Sequence, residues 1–336
     1  MLERVTVDTA VSFEAERRRL FGLAYRLLGS AADAEDVLQD AFLRWSAADR
    51  AAVAEPAAWL TTTVTNLCLT FLSSARQRRE RYVGTWLPEP VLTGTGDGLL
   101  GPLETAEQRE SVSMALLMLC ERLTAPERAV LILHEAFGYR YQEIAQIIGR
   151  SEGACRQLRR RAAVRLGPAG QLGGGADGVL DRDVESADWR RLVGQFFAAA
   201  SAGDVAGLEQ LLADDVVFWS DGGGKVPAAL RPVQGRAKVA RLFIGVMSNA
   251  RARTWMWTEL SVAEVNASPA VLGWRGDELL GVIVPEVSAS GITSFYTIVN
   301  PGKLRGVARQ AAGLPRLADL GPDGSGASDG SGAPGS

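Results

Sequence analysis

Five arginines crowd one short stretch of this 336-residue chain: Arg156, Arg159, Arg160, Arg161 and Arg165, all within residues 152–166. At helical spacing Arg156 and Arg160 share a face that Arg159 largely joins. Ala154, Leu158, Ala162 and Leu166 run four apart on the other side. A helix with one arginine stripe and one apolar stripe suits the major groove of DNA, because guanidinium groups pair bidentately with guanine edges and also neutralise phosphates. A charge run alone usually marks a solvated face, but the residues before this one say more. Residues 141–149 read as a short amphipathic helix with Ile144, Ala145 and Ile148 inward, and Ala145 is small enough for a crossing helix. Gly149 supplies a left-handed turn, Ser151 an N-cap and Glu152 a first-turn carboxylate. Turn, cap and small residue together predict a helix-turn-helix, with Ser151, Glu152, Arg156, Gln157, Arg159 and Arg160 toward DNA.

A second constellation lies near the start. Asp33, Asp36 and Asp40 form an acidic stripe, and Val37, Ala41 and Trp45 an apolar one. Asp33, Asp36, Val37, Asp40 and Trp45 are the candidate docking residues for a protein partner. A basic helix over 57–82 follows, with Trp59, Asn66, Arg76, Arg78 and Arg79 as its informative members. Aromatic and amide groups beside arginines fit single-stranded DNA, whose bases stack and whose phosphates need neutralising.

The composition excludes other chemistry. The only histidine is His134, so two-histidine metal sites and histidine triads in the C-terminal half are ruled out. Cys68, Cys120 and Cys155 are far apart with no CxxC pair, which fits neither a disulfide framework nor zinc, and fits a reducing cytoplasm. The first residues carry no signal-peptide pattern and no run is apolar enough to span a bilayer, so a cytoplasmic protein without membrane contact is expected. Net charge is −3, which hides the local basic patches.

These residues need scaffolds. Residues 12–81 and 104–166 read as two all-α units, separated by a Gly- and Pro-broken linker at 82–103. A flexible linker at 167–182 leads to a unit at 183–310. There, helical stretches at 189–202 and 205–212 precede β-branched and aromatic runs at 216–219, 253–257, 271–274, 279–284 and 292–299, an α+β pattern. The Gly/Ser-rich tail at 311–336 is expected to be disordered.

Together the first two units resemble the extracytoplasmic-function sigma factors of the sigma-70 family. DAEDVLQDAFLRW at 33–45 resembles the region 2 helix that docks on the polymerase β′ clamp, and residues 59–82 resemble the −10 recognition segment. YQEIAQIIGRSEGACRQLRRRA at 141–162 resembles the region 4 helix-turn-helix that reads the −35 element. WLPEP at 86–90, DGGGK at 221–225 and NPGKL at 300–304 resemble a subgroup with a fused C-terminal SnoaL-like (NTF2-like) domain, a cone of helices and curved sheet. Members commonly carry Asp where this chain has Gly302, and charged residues where it has Thr70, Phe71 and Ser73.

The resemblance implies a sigma factor, not an enzyme, that needs no cofactor or metal. Its partners would be core RNA polymerase, through β′ clamp and β flap, and promoter DNA. The C-terminal domain would stand in for a separate anti-sigma factor, with regulatory residues Trp86, Pro88, Asp221, Lys225, Asn300 and Lys303. An unidentified small ligand held by that domain is the alternative role. Two other readings stay open: a helix-turn-helix transcriptional regulator, and a SnoaL-type isomerase or cyclase with a DNA-binding appendage.

Overall fold

The computed structural model describes residues 2–94, 99–100, 106–167, 186–248 and 257–316. The flexible linker expected from 168 on, the tail from 317 and Trp255 lie outside the described residues.

The first unit is three helices: α1 (Leu2–Leu28), α2 (Ala31–Ala47) and α3 (Pro56–Glu80). Gly29, at φ +68°, turns the chain between α1 and α2, and the Ser30 hydroxyl then caps α2 by accepting from the Asp33 amide. The second unit comprises α4 (Ala106–Glu110), α5 (Met114–Cys120), α6 (Ala125–Glu135), α7 (Tyr141–Ile148) and α8 (Glu152–Leu166). Thr124 and Glu127 close a capping box at the start of α6, with Pro126 in its first turn.

The two units share one core. Phe21, Leu28, Leu60 and Val64 from the first pack in the same buried cluster as Leu117, Val130, Leu133, Ile144 and Ile147 from the second. Two buried arginines tie them further. Arg26 donates to Ser111 Oγ (2.7 Å) and Gln108 O, and Arg128 donates to Leu27 O (2.8 Å) and to Glu121. Burial lowers the Arg26 pKa to about 10, which leaves it charged at neutral pH.

The third unit holds α9 (Ser186–Ala202), α10 (Val205–Leu211), β1 (Leu212–Asp221), β2 (Val233–Gln234), α11 (Arg236–Ser248), β3 (Glu259–Val265), β4 (Ser268–Arg275), β5 (Glu278–Ser288), β6 (Gly291–Ile298) and α12 (Pro301–Ala311). Its sheet runs β2-β1-β6-β5-β4-β3, antiparallel throughout except for the parallel β1–β6 pair. β3 is absent from the sequence reading; of the strand expected at 253–257 only Trp257 is described, and it precedes β3. One sheet face packs on α9, α10 and α11 through Phe196, Phe218, Phe243 and Phe295, whose rings fill the interior. Each such burial contributes about 1.5–3 kcal/mol.

The opposite face meets the rest of the chain. Val265, Leu272, Trp274, Val284 and Ile298 share a cluster with Leu87 and Leu92, with Met114 and Ala115 of α5, and with Leu304 and Val307 of α12. The 82–94 segment thus forms no helix, as its prolines predict, yet it is a wedge rather than a tether. Leu87, Pro88, Glu89, Pro90 and Val91 are all buried.

Candidate nucleic-acid interface

The helix-turn-helix forms as its turn and cap dictate. Gly149 sits at φ +63°, and the Ser151 hydroxyl accepts from the Ala154 amide. Ile144 and Ile147 point into the core, with Ile148 partly buried, and Cys155, Ala162 and Leu166 seat α8. Ser151, Glu152, Arg156, Gln157, Arg160 and Arg161 are exposed along α8. Arg156 lies over the Tyr141 ring and pairs with Glu152 one turn back, which holds its guanidinium on the outer face. Arg159 differs from the expectation: it bonds Glu135 at 2.7 Å and is 18% exposed, so it ties α8 to α6. Arg165 likewise reaches the buried Glu127.

On α2 the sequence pattern holds but its assignment needs correction. Val37 and Trp45 are only 4% and 2% exposed. They pack inward because α2 has one apolar stripe, and the helical bundle needs it as core. The outward face carries Asp36, Asp40 and Leu43, with Asp33 partly exposed. Leu43 is 59% exposed, an apolar side chain off the predicted stripe.

On α3, Trp59 packs against Trp45 with ring centroids 5.3 Å apart. Asn66 donates through Nδ2 to Ile147 O of α7 (3.1 Å). Nearby, Arg19 donates to Thr61 Oγ1 and to the Tyr139 hydroxyl. The first helix of the helix-turn-helix therefore lies on the α3 face that holds Asn66. The side chains of Arg76, Arg78 and Arg79 lie outside the described residues.

A third site joins the three glycine- and proline-marked loops. Asp221, at the end of β1, is fully buried. It accepts from Tyr82 Oη (2.6 Å), Leu87 N (2.9 Å) and Lys303 Nζ (2.7 Å). Lys303 also donates to Leu87 O and lies 4.1 Å from the Trp86 ring centroid. Asn300 caps α12 by accepting from the Gly302 amide and donates to Tyr82 Oη (2.7 Å). The glycines serve this contact: Gly223, at φ +59°, faces Asn300 and Tyr82 so closely that a Cβ would overlap Asn300. Asp221, Asn300, Lys303 and Trp86 thus meet as one cluster, with Pro88 buried beside them. Lys225 is exposed at the rim, its Nζ facing Gly302.

Tyr82 and Glu89 escaped the sequence reading. Glu89 accepts from Ser30 Oγ and Ala32 N, both at 3.1 Å, and so seats the WLPEP segment on the N-terminus of α2. Burial raises the Glu89 pKa, against the pull of those donors and of Lys303. Its signal was present as the one carboxylate between two prolines.

Among the described residues, no helix is long and apolar enough to cross a membrane, and no cluster of three or more His, Cys, Asp or Glu could hold a metal.

Family comparison agrees with this anatomy. Residues 13–79 match Sigma-70 region 2, residues 113–166 match Sigma-70 region 4, and residues 193–291 match a SnoaL-like domain. The chain is 36% identical over 301 residues to the ECF RNA polymerase sigma factor SigJ of Mycobacterium tuberculosis, spanning 88% of this chain and 92% of SigJ. It is 30% identical over 301 residues to the probable ECF RNA polymerase sigma factor SigI of that organism, spanning 88% and 94%. Its structure resembles the crystal structure of M. tuberculosis SigJ with a TM-score of 0.66 at 33% identity, covering 88% and 98% of the two chains.

Proposed function

The chain belongs to the extracytoplasmic-function sigma factors, and from that premise we propose that it directs core RNA polymerase to promoters while its C-terminal domain restrains it in cis. In this reading the exposed face of α2, with Asp36, Asp40 and Leu43, docks on the polymerase β′ clamp, and region 4 meets the β flap. Arg156, Gln157 and Arg160 on α8 read the −35 element, and Ser151 and Glu152 frame them. The α3 helix, from Trp59 through Asn66 to Arg76, Arg78 and Arg79, takes the −10 strand.

One observation carries the restraint: Asn66 is bonded to Ile147 of region 4. A −10 base and α7 compete for that face, so promoter engagement requires region 4 to swing away from region 2. The Asp221–Lys303–Trp86 cluster and Glu89 fasten the C-terminal domain to the linker and to α2, and so hold the arrangement shut. The domain thereby takes the place of a separate anti-sigma factor. The phenylalanine-filled interior supports a regulatory rather than a catalytic role for the SnoaL-like fold.

Run-off transcription with purified core polymerase and a promoter library tests the proposal. Wild type should initiate at specific sites, and Asp221→Asn should initiate more from the same sites. Failure to bind core or to initiate would return the chain to the class of ordinary helix-turn-helix regulators.

A further inference from the structure

Asn266 and Ala267 form the tip of the β3–β4 hairpin. Both have positive φ, +53° and +59°, as a two-residue hairpin turn of this hand requires. Ala267 pays for this with a conformation that Cβ-bearing residues resist. Asn266 is fully buried, although it stands at a loop tip. Its side chain satisfies three separate segments at once. Nδ2 donates to Tyr25 Oη of α1 (2.6 Å) and to Val112 O at the entrance to region 4 (2.7 Å). Oδ1 accepts from the Val91 amide of the linker (3.1 Å), and the Asn266 amide donates back to Val91 O (2.9 Å). Tyr25 in turn donates to Glu89 O (2.7 Å).

The residues beside the tip fasten the same junction. Thr93 Oγ1 accepts from the Ala267 amide, and Thr93 N donates to Glu264 O. Arg109 pairs with Glu264 at 2.6 Å. Leu92 bridges Val265, so the linker lies along the edge strand of the sheet.

We infer that Asn266 is a latch: among the described residues, the one side chain of the C-terminal domain that bonds region 2, the linker and region 4 together, and whose release lets the two sigma regions separate. It is distinct from the Asp221–Lys303 cluster, whose bonds run to the linker residues Tyr82 and Leu87. The geometry suits a latch because the tip is both necessary and costly. An asparagine tolerates positive φ, and its amide offers donors and an acceptor on opposite sides. Neither neighbour of Asn266 could replace it, since valine and alanine side chains offer no polar atom.

The inference rests on the closed-state reading above, but its test separates the two. Labels at Ala47→Cys and Arg122→Cys, both exposed, report the distance between region 2 and region 4; Cys68, Cys120 and Cys155 are buried and stay unlabelled. Asn266→Asp keeps the shape, the turn and the bond from Val91, and loses both donations. Electron–electron resonance should give a single short distance in wild type. In Asn266→Asp a longer population should grow by on the order of tenfold for each lost donation. Tyr25→Phe, which removes one partner without a new charge, should give a smaller shift in the same direction. Ala267→Gly, which relieves the turn, should keep the short distance. Unchanged distances in a folded Asn266→Asp and in Tyr25→Phe overturn the latch. A lengthened distance without any change in transcription upholds the latch and removes the restraint proposed above.

Discussion

Removing the charge of Asp221 is the sharpest perturbation the loop site offers. The resemblance presents Asp221 as a regulatory residue, but it is also a structural one: it is fully buried, and Lys303 beside it is 13% exposed. In Asp221→Asn, Lys303 keeps its charge and loses the carboxylate 2.7 Å away, while Tyr82 and the Leu87 amide lose a charged acceptor. Breaking a buried pair from one side costs about 3–5 kcal/mol, since the remaining charge stays desolvated. Remaining contacts to Leu87 O and the Trp86 ring lessen this, so the lower end, about 3 kcal/mol, is expected. Urea unfolding of Asp221→Asn, Lys303→Met and the double variant reads it. The double variant should cost at least about 2 kcal/mol less than the sum of the singles, because no charge is then stranded. Additive costs, or a loss below about 1 kcal/mol for Asp221→Asn, would refute the claim that this pair fastens the domain.

Other residues give independent tests. Glu286 accepts from Tyr296 Oη at 3.1 Å, and burial raises its pKa to about 7. A raised carboxyl pKa means the folded chain holds a proton the unfolded chain has released. Stability from this group is therefore full below the usual carboxylate pKa and falls as pH rises through 7, by at most about 3 kcal/mol. Thermal melts from pH 4 to 8 should show that slope in wild type and lose it in Glu286→Gln. Gly302→Asp places a carboxylate in the first turn of α12 facing Lys225 Nζ, and should raise stability by about 1 kcal/mol in melts, part of which Lys225→Met removes. Leu43→Ala should weaken core-polymerase binding about tenfold in titrations while changing stability by under about 0.5 kcal/mol. Val37→Ala should cost about 2 kcal/mol of stability, because its side chain is core.

The local signals in the sequence carried the local structure. Gly149 and Ser151 dictate the turn and cap of the helix-turn-helix through backbone sterics and one hydroxyl, and both act within a few residues. The three motifs at 86–90, 221–225 and 300–304 were legible through their resemblance to a subgroup, and the fold brings Asp221, Lys303 and Trp86 of those motifs together. What pattern could not show is which way a stripe faces. An apolar stripe on α2 serves a bundle core or a docking face equally well, and Val37 and Trp45 took the core. Arg159 reads like its neighbours until Glu135 on another helix claims it. Over the described residues 82–94 the prolines and glycines rule out a helix, yet they are silent on burial, so the wedge of Leu87, Glu89 and Val91 read as a tether. Asn266 was the least legible. An Asn–Ala pair between β-branched runs hints at a hairpin, but Tyr25 and Val112 lie 241 and 154 residues before it.

The central claim is that regions 2 and 4 are held closed and must part for the −10 face to work. The most direct measurement is the Ala47–Arg122 label distance, taken in the free protein and again in a stalled initiation complex with core polymerase and promoter. The account predicts one short distance in the free chain and a longer one in the complex, with Asn66 released from Ile147. The same short distance in a complex that initiates transcription would contradict it.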